Sequence, residues 1–292
     1  DLKMWKPENY GKKFYGPSTL RIGLEKSRNL MTVRIAQNLG INKITNFSKQ
    51  LGIYDNPEEL LSLSLGSAET TLLKLTSAYC AFVNGGKLVE PIIIDRVQDS
   101  EGNTIVNNEK RLCKNCNQIS FTSNDYPIID DQYKQVFSSQ TAYQITSLLE
   151  GVVQRGTGKK LKELKLNLAG KTGTTNDNTD TWFIGYTSNL VIGVYVGMDN
   201  PKPLGKFETG SKVALPIFED FVKKAIKKSD ARPFKVAEGI TMMVVDSVTG
   251  QKAKFSSKDT IIEAYKNKNI IDGKVLYLNN NRLDSNNILK FY

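Results

Sequence analysis

At 292 residues, with 39% hydrophobic and 24% charged residues, the chain can bury a large core as one domain or two and has an ordinary globular composition. The absence of histidine excludes Ser-His-Asp triads, Cys-His dyads and histidine metal sites at once. A net charge of +10 raises nucleic acid as a partner, but the lysines are spread along the chain and no RNP, zinc-finger or helix-turn-helix signature accompanies them. No nucleic-acid partner is expected; anionic headgroups or wall polymers suit the charge better.

The chain opens on Asp-Leu-Lys with no initiator methionine, which implies a preceding part, and it carries no signal peptide and no apolar run long enough to span a bilayer. Pro7, Gly11, Gly16 and Pro17 make its start loop-like. Ser18 or Thr19 can cap a helix through Leu20, Ile22 and Leu24. Ser27-Arg28-Asn29 follows, and a helical pattern then runs from Leu30 to Leu39 and stops at Gly40. By propensity Ser27 reads as the cap of that second helix.

Ala68 through Phe82 suits another helix, ended at Asn84-Gly85-Gly86, with Cys80 read as core. Ile92–Val97, a turn at Glu101-Gly102-Asn103 and then Ile105-Val106 read as a hairpin. Residues 107–137 are polar and irregular and carry Cys113-Lys114-Asn115-Cys116. A C-x-x-C pair can serve as a zinc site, a redox centre or a tight disulfide. Zinc wants four ligands, and with only Cys80 left and no histidine a chain-internal metal site is not expected. An oxidising compartment would allow a local disulfide.

Ala142, Ile145, Leu148, Leu149, Val152 and Val153 mark an amphipathic helix ended by Gly156-Thr157-Gly158. It delivers the chain to the apolar run Leu166–Ala169, to Lys171-Thr172-Gly173-Thr174 and to a polar turn at Asn176-Asp177-Asn178. Apolar residues then alternate through Leu190, Ile192, Val194, Val196 and Met198. That period of two predicts strands, with Lys171–Thr174 on the first of an antiparallel set. Gly193 and Gly197 fall opposite the stripe, where something packs close to the backbone. Phe218, Phe221, Val222, Ala225 and Ile226 form the apolar stripe of a helix over Pro216–Lys228, with Lys223, Lys224, Lys227 and Lys228 on its solvated face. Arg232-Pro233 marks a boundary, ITMMVVDSVTGQKA reads as a strand and turn, and LNNNRLDSNN reads as loose.

Lys171-Thr172-Gly173-Thr174 offers a cation, two hydroxyls and a stretch of backbone with no side chain in the way. A strand lysine is usually a solvated edge charge, so the context of the tripeptide decides. The run KTGTTNDNTDTWFIGY resembles, nearly residue for residue, the third signature of the penicillin-binding proteins, the serine D,D-transpeptidases of bacterial cell walls. The pattern W-x-P-x-N-Y, then Y-G-P-x-T-L-R-x-x-L, then S-x-N resembles the entry to the second signature in the class A (bifunctional), 1A-type members, with Arg28 in place of aspartate. The stretch from Leu60 to Val89 resembles the segment joining the two motifs. The resemblance covers nearly all of residues 1–250.

The resemblance implies an α/β fold of the α+β type, in which an antiparallel sheet is flanked by helices and the domain is N-terminally incomplete. A transpeptidase domain is expected over residues 1–230 and a short, partly loose extension over residues 231–292. In the implied cleft Ser27 relays protons toward the leaving amine, and Asn29 holds the substrate amide and the base lysine. Lys171 places a positive charge near Ser27 and attracts the substrate's terminal carboxylate. The Thr172 and Thr174 hydroxyls bind that carboxylate, Gly173 lets the peptide lie against the strand, and the Thr174 N–H serves the oxyanion. Strict alternation puts Lys171 opposite Thr172 and Thr174, so the three act together only if the strand is a cleft wall seen edge-on.

The implied reaction is acyl transfer through a serine ester, on peptidoglycan stem peptides ending in D-Ala-D-Ala, with beta-lactams acylating the same serine. No cofactor is implied, and the implied location is the periplasmic face of the bacterial inner membrane. Without histidine the base must be a lysine with a lowered pKa. Yet no lysine in the 292 residues has a serine three positions before it; Thr71-Leu-Leu-Lys74 and Thr157-Gly-Lys-Lys160 come nearest. The S-x-x-K nucleophile is therefore expected upstream of this chain, together with a membrane-anchored glycosyltransferase domain. Other readings of the same signatures are a serine beta-lactamase, a penicillin-sensing receptor domain, or a non-catalytic domain that kept the carboxylate pocket.

Overall fold

A computed structural model describes residues 5–108, 112–116, 127–130, 133–227, 230 and 232–267. The N-terminal half is helical: α1 (Leu20–Glu25), α2 (Asn29–Leu39), α3 (Ile41–Gln50) and α4 (Leu72–Val83). Thr19 caps α1 by accepting the Ile22 N–H; of its apolar residues Leu24 packs on the core while Leu20 is exposed. Arg21, Gly23 and Glu25 are its buried residues, because two charged side chains have partners inside. The helix expected from Ala68 begins four residues later. Thr71 is extended and its hydroxyl accepts the Lys74 N–H, which sets the start at Leu72.

Two short ribbons follow. β1 (Arg96–Gln98) pairs with β2 (Thr104–Asn107), and β3 (Leu112–Lys114) pairs with β4 (Ile128–Asp130). The first is the expected hairpin, but Ile92 to Asp95 stay outside it, and its turn is tied by the Asp99 carboxylate accepting the Glu101 and Asn103 N–H groups. The second ribbon lies where only irregular structure is expected, since strands of three residues are too short to show a period. Cys113 and Cys116 are joined as a local disulfide at the end of β3. Cys80 is half-buried rather than core; its thiol, pushed up in pKa by burial, faces the Thr76 carbonyl on its own helix.

The core is built on α5 (Ser139–Gln154) and on the antiparallel sheet of β5 (Ala169–Thr174), β6 (Thr181–Tyr186) and β7 (Val191–Val196), in that order. One face receives α6 (Ala214–Ala225): Phe183, Ile192 and Val194 pack on Leu215, Phe218 and Val222. Gly185 is glycine because a Cβ there would lie 2.6 Å from the Phe218 ring. The other face packs on α4 and α5 through Ala169 and Tyr186 against Leu149, Val152, Tyr79 and Phe82. Gly193 meets Thr76 and Leu72 of α4, the close approach its place opposite the stripe implies. Leu190 and Met198 fall outside β7 and are exposed. Phe221 is exposed too; the buried stripe of α6 runs through Ala214, Leu215, Phe218 and Val222. Lys223 and Lys224 pair with Glu219 and Asp220 one turn back, and Lys228 lies outside the described residues.

Past Pro233 the expected strand is present. β8 (Ile240–Asp246) and β9 (Thr260–Lys266) form a further antiparallel hairpin, with Val245 and Ala264 buried, and β9 packs on α5. The asparagine-rich stretch LNNNRLDSNN lies outside the described residues.

Candidate active site

Ser27 does not cap α2. It follows α1 with a left-handed backbone at φ 52°, its N–H bonds the Leu24 carbonyl at 3.0 Å, and the Arg28 N–H bonds Gly23 at 2.8 Å. This is a Schellman ending, in which the left-handed residue is usually glycine. A serine there costs about 1–2 kcal/mol of backbone strain, a cost that collects at functional positions. Arg28 is the cap residue of α2 and makes no side-chain cap bond. Its guanidinium instead bonds the Ser18 hydroxyl at 2.6 Å and lies 4.0 Å over the Tyr15 ring.

The Ser27 hydroxyl accepts a hydrogen bond from Lys171 Nζ at 2.7 Å. Two signatures 144 residues apart therefore meet in one cleft. Lys171 also donates to the Thr172 carbonyl at 2.8 Å, and burial lowers its pKa to about 8. A lysine with a pKa near neutrality can still attract an anion at pH 7 and can also pass a proton.

Among the described residues β5 is the edge of its sheet, with β6 as its one strand neighbour. Because the Thr172 carbonyl is taken by a lysine rather than by the ladder, it points to the open side. The same groups of Thr174, two residues on, share that side. Lys171 starts on the α5 face and turns around this edge, which resolves the alternation: all three residues can act where the strand is seen edge-on.

The two hydroxyls are held differently. Thr172 Oγ1 and Thr157 Oγ1 stand 2.9 Å apart, just past the end of α5. Thr174 Oγ1 accepts the Gly210 N–H at 3.0 Å and keeps its own proton to donate. Gly210 presses on the strand so closely that a Cβ there would meet the Gly173 carbonyl. Thr157 entered the sequence reading only in the turn that ends α5 and as a mimic of the nucleophile motif, and for Gly210 the hydroxyl-flanked glycine in Thr209-Gly210-Ser211 was the available signal. Asn29 stands at the start of α2. Its amide donates to the Glu8 carbonyl at 3.0 Å, tying the start of α2 to the N-terminal loop, where Asn9 Oδ1 also accepts the Leu30 N–H.

Comparison with known proteins shows the family. The family model described as the penicillin binding protein transpeptidase domain matches residues 1–223. Penicillin-binding protein 1A of Rickettsia bellii is 44% identical over 287 residues, covering 96% of this chain and 36% of that protein. Its counterpart in Pseudomonas aeruginosa is 33% identical over 297 residues, covering 91% and 36%. This chain thus spans 36% of the length of either curated relative. The crystal structure of penicillin-binding protein 1A from Haemophilus influenzae superposes with a TM-score of 0.79 at 30% identity, over 94% of this chain and 43% of that one. An imipenem acyl-enzyme complex of penicillin-binding protein A from M. tuberculosis shares the fold at a TM-score of 0.58 and 18% identity, over 77% of this chain and 52% of that one. The chain belongs to the penicillin-binding protein transpeptidase family, among its 1A-type members.

Proposed function

We propose that this chain forms the substrate-holding side of a peptidoglycan D,D-transpeptidase that beta-lactams acylate, and that the attacking serine lies in a part of the protein outside these residues. The observation that carries the reading is the Lys171–Ser27 hydrogen bond at an open sheet edge. A stem peptide can add along β5 as an extra strand, main chain to main chain, with its terminal carboxylate at Lys171 and the Thr174 hydroxyl. Gly173 keeps that approach clear of side chains, and the outward N–H of Thr174 is placed to receive the oxyanion. The serine gives its proton to its partner lysine as it attacks the D-Ala-D-Ala carbonyl, the C–N bond breaks, and Ser27 relays a proton to the departing D-Ala amine, Lys171 holding its hydroxyl. An amine from a neighbouring strand then takes the acyl group from the ester. Asn29 would complete the substrate side once a peptide competes with Glu8 for its amide. In a protein of this class these steps occur at the periplasmic face of the inner membrane.

Labelling with a fluorescent penicillin tests the reading. The whole protein is expected to keep the label through denaturing electrophoresis, and residues 1–292 alone are expected to take none. Label mapped to a serine inside these residues overturns the placement of the nucleophile. A whole protein that takes no label overturns the transpeptidase reading itself.

A further inference from the structure

The hairpin of β8 and β9 lies beyond residue 223, where the match to the transpeptidase domain ends. It nevertheless supplies a carboxylate to the interior. Arg21 on α1 is 3% exposed. Its Nε donates to Glu263 Oε2 at 2.5 Å and its Nη2 to Glu263 Oε1, a bidentate pair. The remaining donors reach the Ser147 carbonyl at 2.9 Å, the Ser147 hydroxyl at 3.0 Å and Glu25 at 3.3 Å. All five guanidinium donors are therefore used, two of them by β9. Burial works against the cation most strongly, and the hydrogen bonds and charges of Glu263 and Glu25 together outweigh it, holding the arginine above its ordinary pKa.

From Arg21 the contacts run straight to the site. Glu25, two residues before Ser27, accepts from Arg21 and from Arg155 at 2.6 Å and 3.2 Å. The Glu25 carbonyl accepts the Thr157 N–H at 3.1 Å, and the Thr157 hydroxyl meets Thr172. Two glycines make the room: a Cβ on Gly151 would strike the Glu25 carboxylate, and one on Gly156 the Glu25 carbonyl. A helix of six residues has little stability of its own, so the end that presents Ser27 is held by these contacts.

We infer that Glu263 is a positioning residue for the Ser27–Lys171 pair, making the C-terminal hairpin a working part of the catalytic unit rather than an appendage. The inference rests on the functional reading above only for its activity readout. With Glu263 gone, the buried guanidinium keeps one hydrogen-bonded carboxylate, Glu25, which it must share with Arg155, besides the nearby Glu150, and the last turn of α1 loses its anchor.

The test uses the whole protein carrying Glu263→Gln, with two readouts. Amide hydrogen exchange is expected to show protection at Ser27, Arg28 and Thr157 falling at least about tenfold, with the interior of α5 unchanged. The rate of acylation by fluorescent penicillin, measured well below the melting temperature, is expected to fall about tenfold or more, as small misplacements of reacting groups do. Glu263→Asp is expected to restore part of both. Should Glu263→Gln fail to fold, Arg21→Leu with Glu263→Leu removes both charges from the interior together and is expected to fold with the same two losses. Unchanged protection at Ser27, Arg28 and Thr157 in a folded variant overturns the inference. So does a lowered melting temperature with the parent's acylation rate, the result a merely stabilising contact would give. If the parent itself takes no penicillin, the functional reading falls and hydrogen exchange still judges this one.

Discussion

Ser27 sits in a backbone region that suits glycine, and the strain serves its hydroxyl. Ser27→Gly is therefore expected to stabilise the whole protein by about 1 kcal/mol while cutting penicillin acylation by orders of magnitude. Chemical denaturation together with labelling reads both; a variant that loses stability would show that the turn is not strained. Lys171 gives a pH signature with two opposite signs. Its cation is present below its pKa of about 8 and is lost as pH rises through that value. Binding of a carboxylate ligand should weaken accordingly between about pH 7 and 9. Folding stability should move the other way, because between the folded pKa and the ordinary lysine value the unfolded chain binds more protons. Lys171→Ala should flatten both trends. A ligand affinity with the same alkaline fall in that variant would assign the titration elsewhere.

At the scale of elements, the strands around K-T-G were legible because period two survives in residues 181–196, where Phe183, Ile192 and Val194 face α6. α5 was legible through Ala142, Leu149, Val152 and Val153, all buried. α1 was legible in place, through its Thr19 cap, but not in what it buries, because its inward residues include Arg21 and Glu25, and a hydrophobicity pattern cannot register charges that are paired inside. Within the site, Lys171 and Ser27 were legible by motif, whereas the parts played by Thr157, Gly210 and Glu263 rest on contacts with residues distant in sequence, which the local pattern around each does not reveal. One substitution on α5 separates propensity from packing. Glycine to alanine inside a helix ordinarily stabilises by about 0.5–1 kcal/mol. Gly151→Ala should instead destabilise by about 2 kcal/mol or more, because its Cβ displaces the Glu25 carboxylate from two arginines. Thermal denaturation decides, and a raised melting temperature would mean that Glu25 has another place to go.

Over the whole molecule, the hairpin past the boundary at Arg232-Pro233 belongs to the same body as the site. Gln144 Nε2 donates to the Ala264 carbonyl and Lys266 Nζ to Thr141 Oγ1, so β9 lies along α5. Phe234 stacks edge-on against Tyr186 of the central sheet at 5.6 Å between ring centroids. That docking was illegible because an Arg-Pro boundary and a polar tail look the same whether or not the strands between them dock. β5 carries a different consequence at this scale. An uncovered strand edge invites pairing with a second chain, and proteins usually cover it permanently. A cleft that must admit a peptide strand cannot do so. Lys171, folded over the edge onto the Thr172 carbonyl, is a removable guard: it blocks neutral backbone from zipping on and yields to a strand that brings a carboxylate. Concentrated Lys171→Ala protein should therefore self-associate where the parent stays dispersed, as sedimentation velocity would record, and the residue that selects the proper partner is the one that keeps the molecule from pairing with itself.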